Sequence, residues 1–455
     1  MPFTKIWLSF LLVLLLVFPA GCGGRHDTGP QNPGANGTPP EASAGDSQNS
    51  GAGTPEKPAG EGETSENPAG EGGTPAPGKP ADPIAERLAR MSMEEKIGQM
   101  VIVGLDGETA DEHARTMLSE YRVGGFILFK RNIRDAAQTI GLINELKELN
   151  GAGSVPLFFG VDQEGGKVDR MPDEFEKFPT NAEIGKIGDQ AFSRQIGRLL
   201  AKEIKSLGFN LNFAPVLDVN SNPQNPVIGD RSFGATAEIV SSLGVETMKG
   251  IQEENVVSVV KHFPGHGDTS VDSHIGLPVV NNDLQRLRKL ELVPFAEAIR
   301  QHADAVMVAH ILLPKIDARY PSSLSKTVIT DLLRNEMKFD GVVMTDDLTM
   351  GAITEQYDIG AAAVKAIQAG SDIVLVCHDF DKETAAIEAL RAAAQRGELS
   401  RERIDESVTR ILRLKEKYGV GGEKVGSADV RKINAEIRSV LDTYMAKKQR
   451  AASSP

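Results

Sequence analysis

Residues 261–274 read KHFPGHGDTSVDSH and gather His262, His266 and His274 with Lys261, Asp268 and Asp272 on a glycine-broken segment. Three chemistries use such residues: metal ligation, phosphate binding and acid–base transfer. Histidine metal sites usually show tight pairs such as HxxxH, or pair with CxxC. Here Gly265 and Gly267 interrupt any helical spacing between the histidines, so no metal is expected. A phosphate cradle needs a glycine turn that opens a helix. The next residues, IGLPVV at 275–280, read as extended and contain a proline. The acid–base reading needs a titratable group and a partner that orients it. Asp272 and His274 stand two apart, on one side of the chain if the segment is extended. A carboxylate accepting a hydrogen bond from an imidazole fixes the tautomer and favours the protonated ring, which makes a general acid. An opposing nucleophile is available in MTDDL (344–348), where Asp346 is the candidate and one of the two adjacent acids serves as a helix cap.

These residues need elements to bring them together. Short apolar runs occur at 99–105, 123–129, 156–162, 209–219, 256–263, 304–311, 341–348 and 371–379, with amphipathic stretches such as 287–300, 359–369 and 403–416 between them. Eight buried-strand signals alternating with helices predict a single (β/α)8 barrel, an α/β fold, with a doubly wound open sheet as the alternative. Asp162, Asn212, Asp218, Lys261, His262, His310, Asp346, Asp347 and His378 fall at or just past the C-terminal ends of the runs, which is the catalytic face of a barrel. His266 and Asp268 read as loop-shaping, His310 as lying behind the substrate contacts, and Cys377 as a small core residue. Gly265, Gly267 and Gly276 read as freedom for the histidine segment to move.

The ends of the chain differ from its middle. Residues 1–22 carry one lysine, an apolar run from Ile6 to Phe18 and then small residues before Cys22. That run is shorter than the roughly 20 residues that span a bilayer, so a secretory signal is expected. PAGC resembles a bacterial lipoprotein box with Cys22 as the lipidated residue, although Pro19 stands where leucine is usual. Residues 23–82 are rich in Gly, Pro and Glu, repeat PAGEG at 58–62 and 68–72, and read as a disordered tether. The barrel domain is assigned to 83–420 and a last helix with a tail to 421–455. The only other cysteine is Cys377, so no disulfide is expected. A net charge of −13 without a basic patch argues against nucleic acid.

The motifs KHFPGHGDTSVDSH, VDQEGGKVDR (161–170), NPVIGDRSFG (225–234), MVAHI (307–311) and TDDLTMGAI (345–353) together resemble the family 3 glycoside hydrolases. More narrowly they resemble the β-N-acetylglucosaminidase branch, over about residues 84–420. In most of that family a second domain supplies the general acid, whereas this branch uses an Asp–His pair on a barrel loop. The residues after Tyr418 are expected to add no second domain, which leaves the acid in the loop. The resemblance implies Asp346 as nucleophile, His274 as acid/base and Asp272 as its orienting partner, with Asp162, Arg170, Arg231, Lys261 and His262 holding the sugar. Lys167 stands where the family often has arginine and is not counted as a ligand. The implied reaction is retaining hydrolysis without cofactor or metal, releasing terminal N-acetylglucosamine from peptidoglycan fragments. A lipid-anchored, extracytoplasmic monomer is expected. Alternatives are a β-glucosidase or xylosidase, a phosphorylase on the same machinery, or a sugar-binding lipoprotein without catalysis.

Overall fold

The structure, a computed structural model, describes residues 82–452. The signal segment, Cys22 and nearly all of the tether lie outside the described residues. The first helix, Pro83–Arg90, begins where the composition changes, with Asp82 capping it by accepting from the Ile84 amide. The next, Met93–Gln99, starts on a capping box: Ser92 Oγ accepts from the Glu95 amide while Glu95 accepts from the Ser92 amide.

Eight strands form on the apolar runs: β1 (Val101–Val103), β2 (Gly125–Ile127), β3 (Phe158–Val161), β4 (Leu211–Asn212), β5 (Val257–Phe263), β6 (Ala305–Val308), β7 (Val342–Asp347) and β8 (Ile373–Val376). Every neighbouring pair is parallel and β1 also pairs with β8, so the sheet closes into the expected barrel and the open-sheet alternative falls. The runs are continuous rather than alternating because each strand is buried on both faces, between the barrel interior and the helical ring. The 209–219 run contributes only Leu211–Asn212 to the ladder. Pro215 has no N–H to donate, and beyond it the chain makes a single bridge, Val216 with Lys261.

Two irregularities in the barrel bear on its polar residues. The register between β5 and β6 shifts between Val260 and Phe263, and that between β7 and β8 shifts between Met344 and Asp347. Such shifts re-aim side chains locally. The residues they release from regular pairing are Lys261 and His262 in one case and Asp346 in the other. At the C-terminal side, the helix Val430–Ala452 packs on the helix Gln190–Ser206, with Ile437 fully buried and the Phe192 and Tyr444 rings 4.3 Å apart.

Candidate active site

A cavity of about 210 Å³ opens at the C-terminal ends of the strands. Its lining includes every residue assigned from the sequence to catalysis or sugar binding except Asp272: Asp162, Arg170, Arg231, Lys261, His262, His274 and Asp346. Asp347, His378 and Cys377 also reach it. Of the other polar groups at strand ends, Asn212, Asp218 and His310 stand behind the wall. Asn212 exchanges two hydrogen bonds with the Gln163 backbone, which ties β3 to β4. His310 is buried between Ser323 Oγ, 2.7 Å away, and the Asp347 carbonyl, 2.9 Å away.

The floor is an ion cluster. Lys261, 2% exposed on β5, places Nζ 2.5 Å from Asp162 Oδ1 and 2.8 Å from Glu164 Oε1. Glu164 also accepts both prongs of the Arg231 fork, at 2.9 and 2.7 Å. Burial opposes the Glu164 charge, but Arg231 and Lys261 overcome it and hold the carboxyl far below the usual range. Burial likewise works against Lys261, and Asp162 and Glu164 keep it charged. Arg231 therefore differs from its assigned part. It lines the cavity, but its fork is occupied by Glu164, so its main work is to fix that carboxylate. Arg170 is the opposite case: it lines the cavity, and its buried Nε has no hydrogen-bond partner among the described residues.

Glu164 belongs to the VDQEGGKVDR motif, yet no role is assigned to it from the sequence. The signal was there, since buried Lys261 and Arg231 together need more counter-charge than Asp162 supplies. Asp218 has a place at a strand end in the sequence but no partner. The structure gives it two: Oδ2 lies 2.6 Å from His262 Nδ1, and Oδ1 accepts from the His266 amide at 2.6 Å. This orients the His262 ring with Nε2 toward the cavity.

Asp346 is the penultimate residue of β7 and accepts from the Asp347 amide at 2.9 Å. Burial raises the cost of its charge, yet His310, His262, the Asp347 amide and Lys261 hold its carboxyl below the usual range. It is thus an ionised carboxylate in the wall of a small cavity. Asp347, the other acid of the pair, also borders the cavity, but both its oxygens are engaged: Oδ1 accepts from the Thr349 and Cys377 amides, and Oδ2 from the Thr349 hydroxyl at 2.6 Å. Of the two acids, Asp347 is the one that caps the turn.

Opposite stands the loop after β5. Asp272 Oδ1 lies 2.8 Å from His274 Nδ1 and accepts from the His274 amide at 2.9 Å. Nδ1 is thereby engaged, and Nε2 is the nitrogen left for proton transfer. Burial penalises the Asp272 charge, and the His274 amide and ring lower its carboxyl below the usual range. Ser273, between them, is buried, with Oγ 3.2 Å from His266 Nε2.

The glycines of this segment serve a different end from the one expected. A Cβ on Gly265 would sit 2.7 Å from the Glu291 side chain, and one on Gly267 would sit 1.7 Å from the Val219 carbonyl. Both are needed for close packing at the root of the loop; only Gly276 stands in open space, with nothing nearer than 3.9 Å. His266 shapes the loop, as expected, and Asp268 accepts from Asn282 Nδ2 at 2.9 Å. No cluster of metal-ligating side chains occurs among the described residues.

Comparison with known proteins points to one family. The model of the glycosyl hydrolase family 3 N-terminal domain matches residues 92–414. The chain is 35% identical over 353 residues to "Beta-hexosaminidase A" of Pseudoalteromonas piscicida, covering 70% of this chain but only 59% of that protein. It is 37% identical over 297 residues to a beta-hexosaminidase of Nitrosomonas eutropha, covering 64% of this chain and 84% of the relative. Among solved structures, a glycoside hydrolase family 3 β-N-acetylglucosaminidase from Paenibacillus sp. str. FPU-7 superposes with a TM-score of 0.74 at 43% identity, over 77% of this chain and 68% of that one. A closed eight-stranded barrel, and a family model that spans all of its strands, establish that this chain belongs to glycosyl hydrolase family 3.

Proposed function

We propose that the protein is an exo-acting, retaining β-N-acetylglucosaminidase that removes terminal N-acetylglucosamine from peptidoglycan fragments. The observation that carries the reading is Asp346, kept ionised in a cavity of about 210 Å³ whose rim bears the Asp272–His274 pair. So small a cavity suits one sugar at a chain end. The hexosaminidase and β-N-acetylglucosaminidase names of the relatives support the acetamido sugar as its occupant. Asp162, Lys261, His262 and Arg170 offer the acceptors and donors that vicinal hydroxyls require.

In the first step Asp346 attacks the anomeric carbon as the glycosidic C–O bond breaks. The bonding pair passes to the leaving oxygen, which takes the proton from His274 Nε2. In the second step His274 removes a proton from water, the water oxygen bonds to the anomeric carbon, and Asp346 leaves as carboxylate. Asp272 holds the ring in register and stabilises its charged form. By the same reading the enzyme works outside the cytoplasm as a monomer held through lipidated Cys22, where wall material is at hand. Exchange of Cys22 for Ser would then shift it from the membrane to the soluble fraction.

The test uses a chromogenic β-N-acetylglucosaminide beside the matching β-glucoside, with and without phosphate. Wild type is expected to prefer the acetamido sugar irrespective of phosphate, and Asp346→Asn to lose roughly 10⁴-fold in kcat. His274→Ala should lose most on substrates with poor leaving groups, because these depend most on protonation. A rate that depends on phosphate would make the enzyme a phosphorylase. Equal activity on the glucoside would overturn the sugar assignment, and full activity in Asp346→Asn would overturn the mechanism.

A further inference from the structure

Among the described residues, the large apolar side chains left exposed are Val271, Ile275 and Val279, at 42%, 72% and 50%. All three lie on the segment that carries His274, and Val271 and Ile275 bracket the Asp272–Ser273–His274 triplet. Single exposed apolar residues need no explanation, but such residues confined to one loop beside a catalytic rim do. The loop does not hang free. The Ile275 amide donates to the Asp272 carbonyl, closing a tight turn, and the carbonyls of Ser273 and His274 accept from the Ala352 and Gly351 amides at 3.1 and 3.3 Å. Ile275 is therefore held outward by backbone bonds on both sides of it.

We propose that Val271 and Ile275 form the leaving-group subsite, an apolar platform that selects substrates whose departing group presents an uncharged, apolar face. This deepens the reading of the site as a glycosidase and rests on it. If His274 Nε2 protonates the glycosidic oxygen, the atoms attached to that oxygen must pass beside the neighbours of His274. The cavity has room for the sugar that stays, so the departing group lies outside it, against the lip. On the side of the acid the cavity is lined by Ser273 and His274, and Val271 and Ile275 flank these two along the chain. The loop's charged side chains, Asp272 and His274, are paired with each other, so the surface left for the departing group is apolar.

Full-length Ile275→Ser and Val271→Ser/Ile275→Ser are compared with wild type on two substrates. One is the 4-methylumbelliferyl β-glycoside of N-acetylglucosamine, whose leaving group is broad and apolar. The other is the β-fluoride of the same sugar, whose leaving group is too small to reach the platform. Both give the same glycosyl-enzyme, so kcat/KM differs only in the step where the group departs. The double variant is expected to lose about tenfold in kcat/KM on the umbelliferyl glycoside and to stay within about twofold of wild type on the fluoride. Equal losses on both substrates would mean the side chains only hold the loop, and no loss on either would mean they touch nothing; each overturns the subsite. A wild type that hydrolyses neither substrate would overturn the glycosidase reading itself and the subsite with it.

Discussion

Beneath the catalytic pair, His266 shows how a single buried side chain can fix a loop. The Thr269 hydroxyl gives its proton to the His266 carbonyl at 3.0 Å and accepts from Asn225 Nδ2 at 3.1 Å. His266 Nδ1, 2.8 Å from Thr269 Oγ1, must then donate, which leaves Nε2 to accept from Ser273 Oγ. The neutral ring can do both. Burial, with the His262 ring beside it, pushes the His266 pKa down to about 4. A group whose pKa is depressed by folding contributes stability that is present above its unfolded value, about 6.5, and lost as pH falls through the folded one. Denaturation at pH 7.5 and 4.5 is therefore expected to show wild type losing up to about 3 kcal/mol more than His266→Gln, which cannot take up a proton there. The same slope in both proteins would show that His266 is not held neutral. At this scale the sequence offered Asp346, Asp272 and His274 as candidates by type and place and read His266 as loop-shaping, but the partners through which His266 holds the loop, Thr269 and Ser273, were not legible in it.

One contact between elements ties the loop of His274 to the segment that follows Asp346. β7 carries Asp346 and leads into the short helix Gly351–Thr354, whose first amides hold the carbonyls of the loop bearing His274. Gly351 makes this possible. A Cβ there would meet the Ile275 carbonyl at 2.7 Å and the His274 carbonyl at 2.8 Å, both backbone atoms with no rotamer to yield. Gly351→Ala is therefore expected to displace the loop and lower kcat/KM by roughly 10²-fold, since misplacement of about 1 Å can cost that much. Its melting temperature should hardly change, because the loop is at the surface. Wild-type activity in this variant would show that the docking is not needed for turnover. Nothing in the spacing of TDDLTMGAI announces that its glycine receives the loop that follows β5.

Across the whole molecule the two ends of the barrel do different work. The C-terminal end holds the ions of the cavity, and the N-terminal end is closed by Asp372, fully buried at the start of β8. Its Oδ2 accepts from Arg334 Nη2 at 2.5 Å and from the Val343 amide at 3.0 Å, and its Oδ1 from Ser407 Oγ at 2.8 Å. Arg403 and Arg410 approach the same carboxylate at 3.5 and 3.3 Å. The helix Arg401–Lys417, the stretch before β7 and β8 itself are thus pinned to one charge. Asp372→Ala would leave three guanidinium groups without their shared partner, and breaking a buried pair costs about 3–5 kcal/mol. The expected outcome is a lower unfolding midpoint in denaturant with kcat of the folded fraction unchanged. A fall in kcat at unchanged stability would contradict this division of the barrel.

By itself the sequence determined the barrel and which polar residues end its strands, because both are local properties. Continuous apolar runs mark strands buried on two faces, and a polar residue that ends such a run must emerge at the C-terminal rim. The run at 209–219 is longer than the strand it forms only because Pro215 takes that chain out of the ladder. Partnership was decided by the tertiary structure. Glu164 takes the fork of Arg231 and shares Lys261 with Asp162, and Gly351 takes the loop of His274. These pairs lie far apart along the chain. Which charge neutralises which, once water is excluded, depends on distances of a few ångströms that only the closed barrel sets.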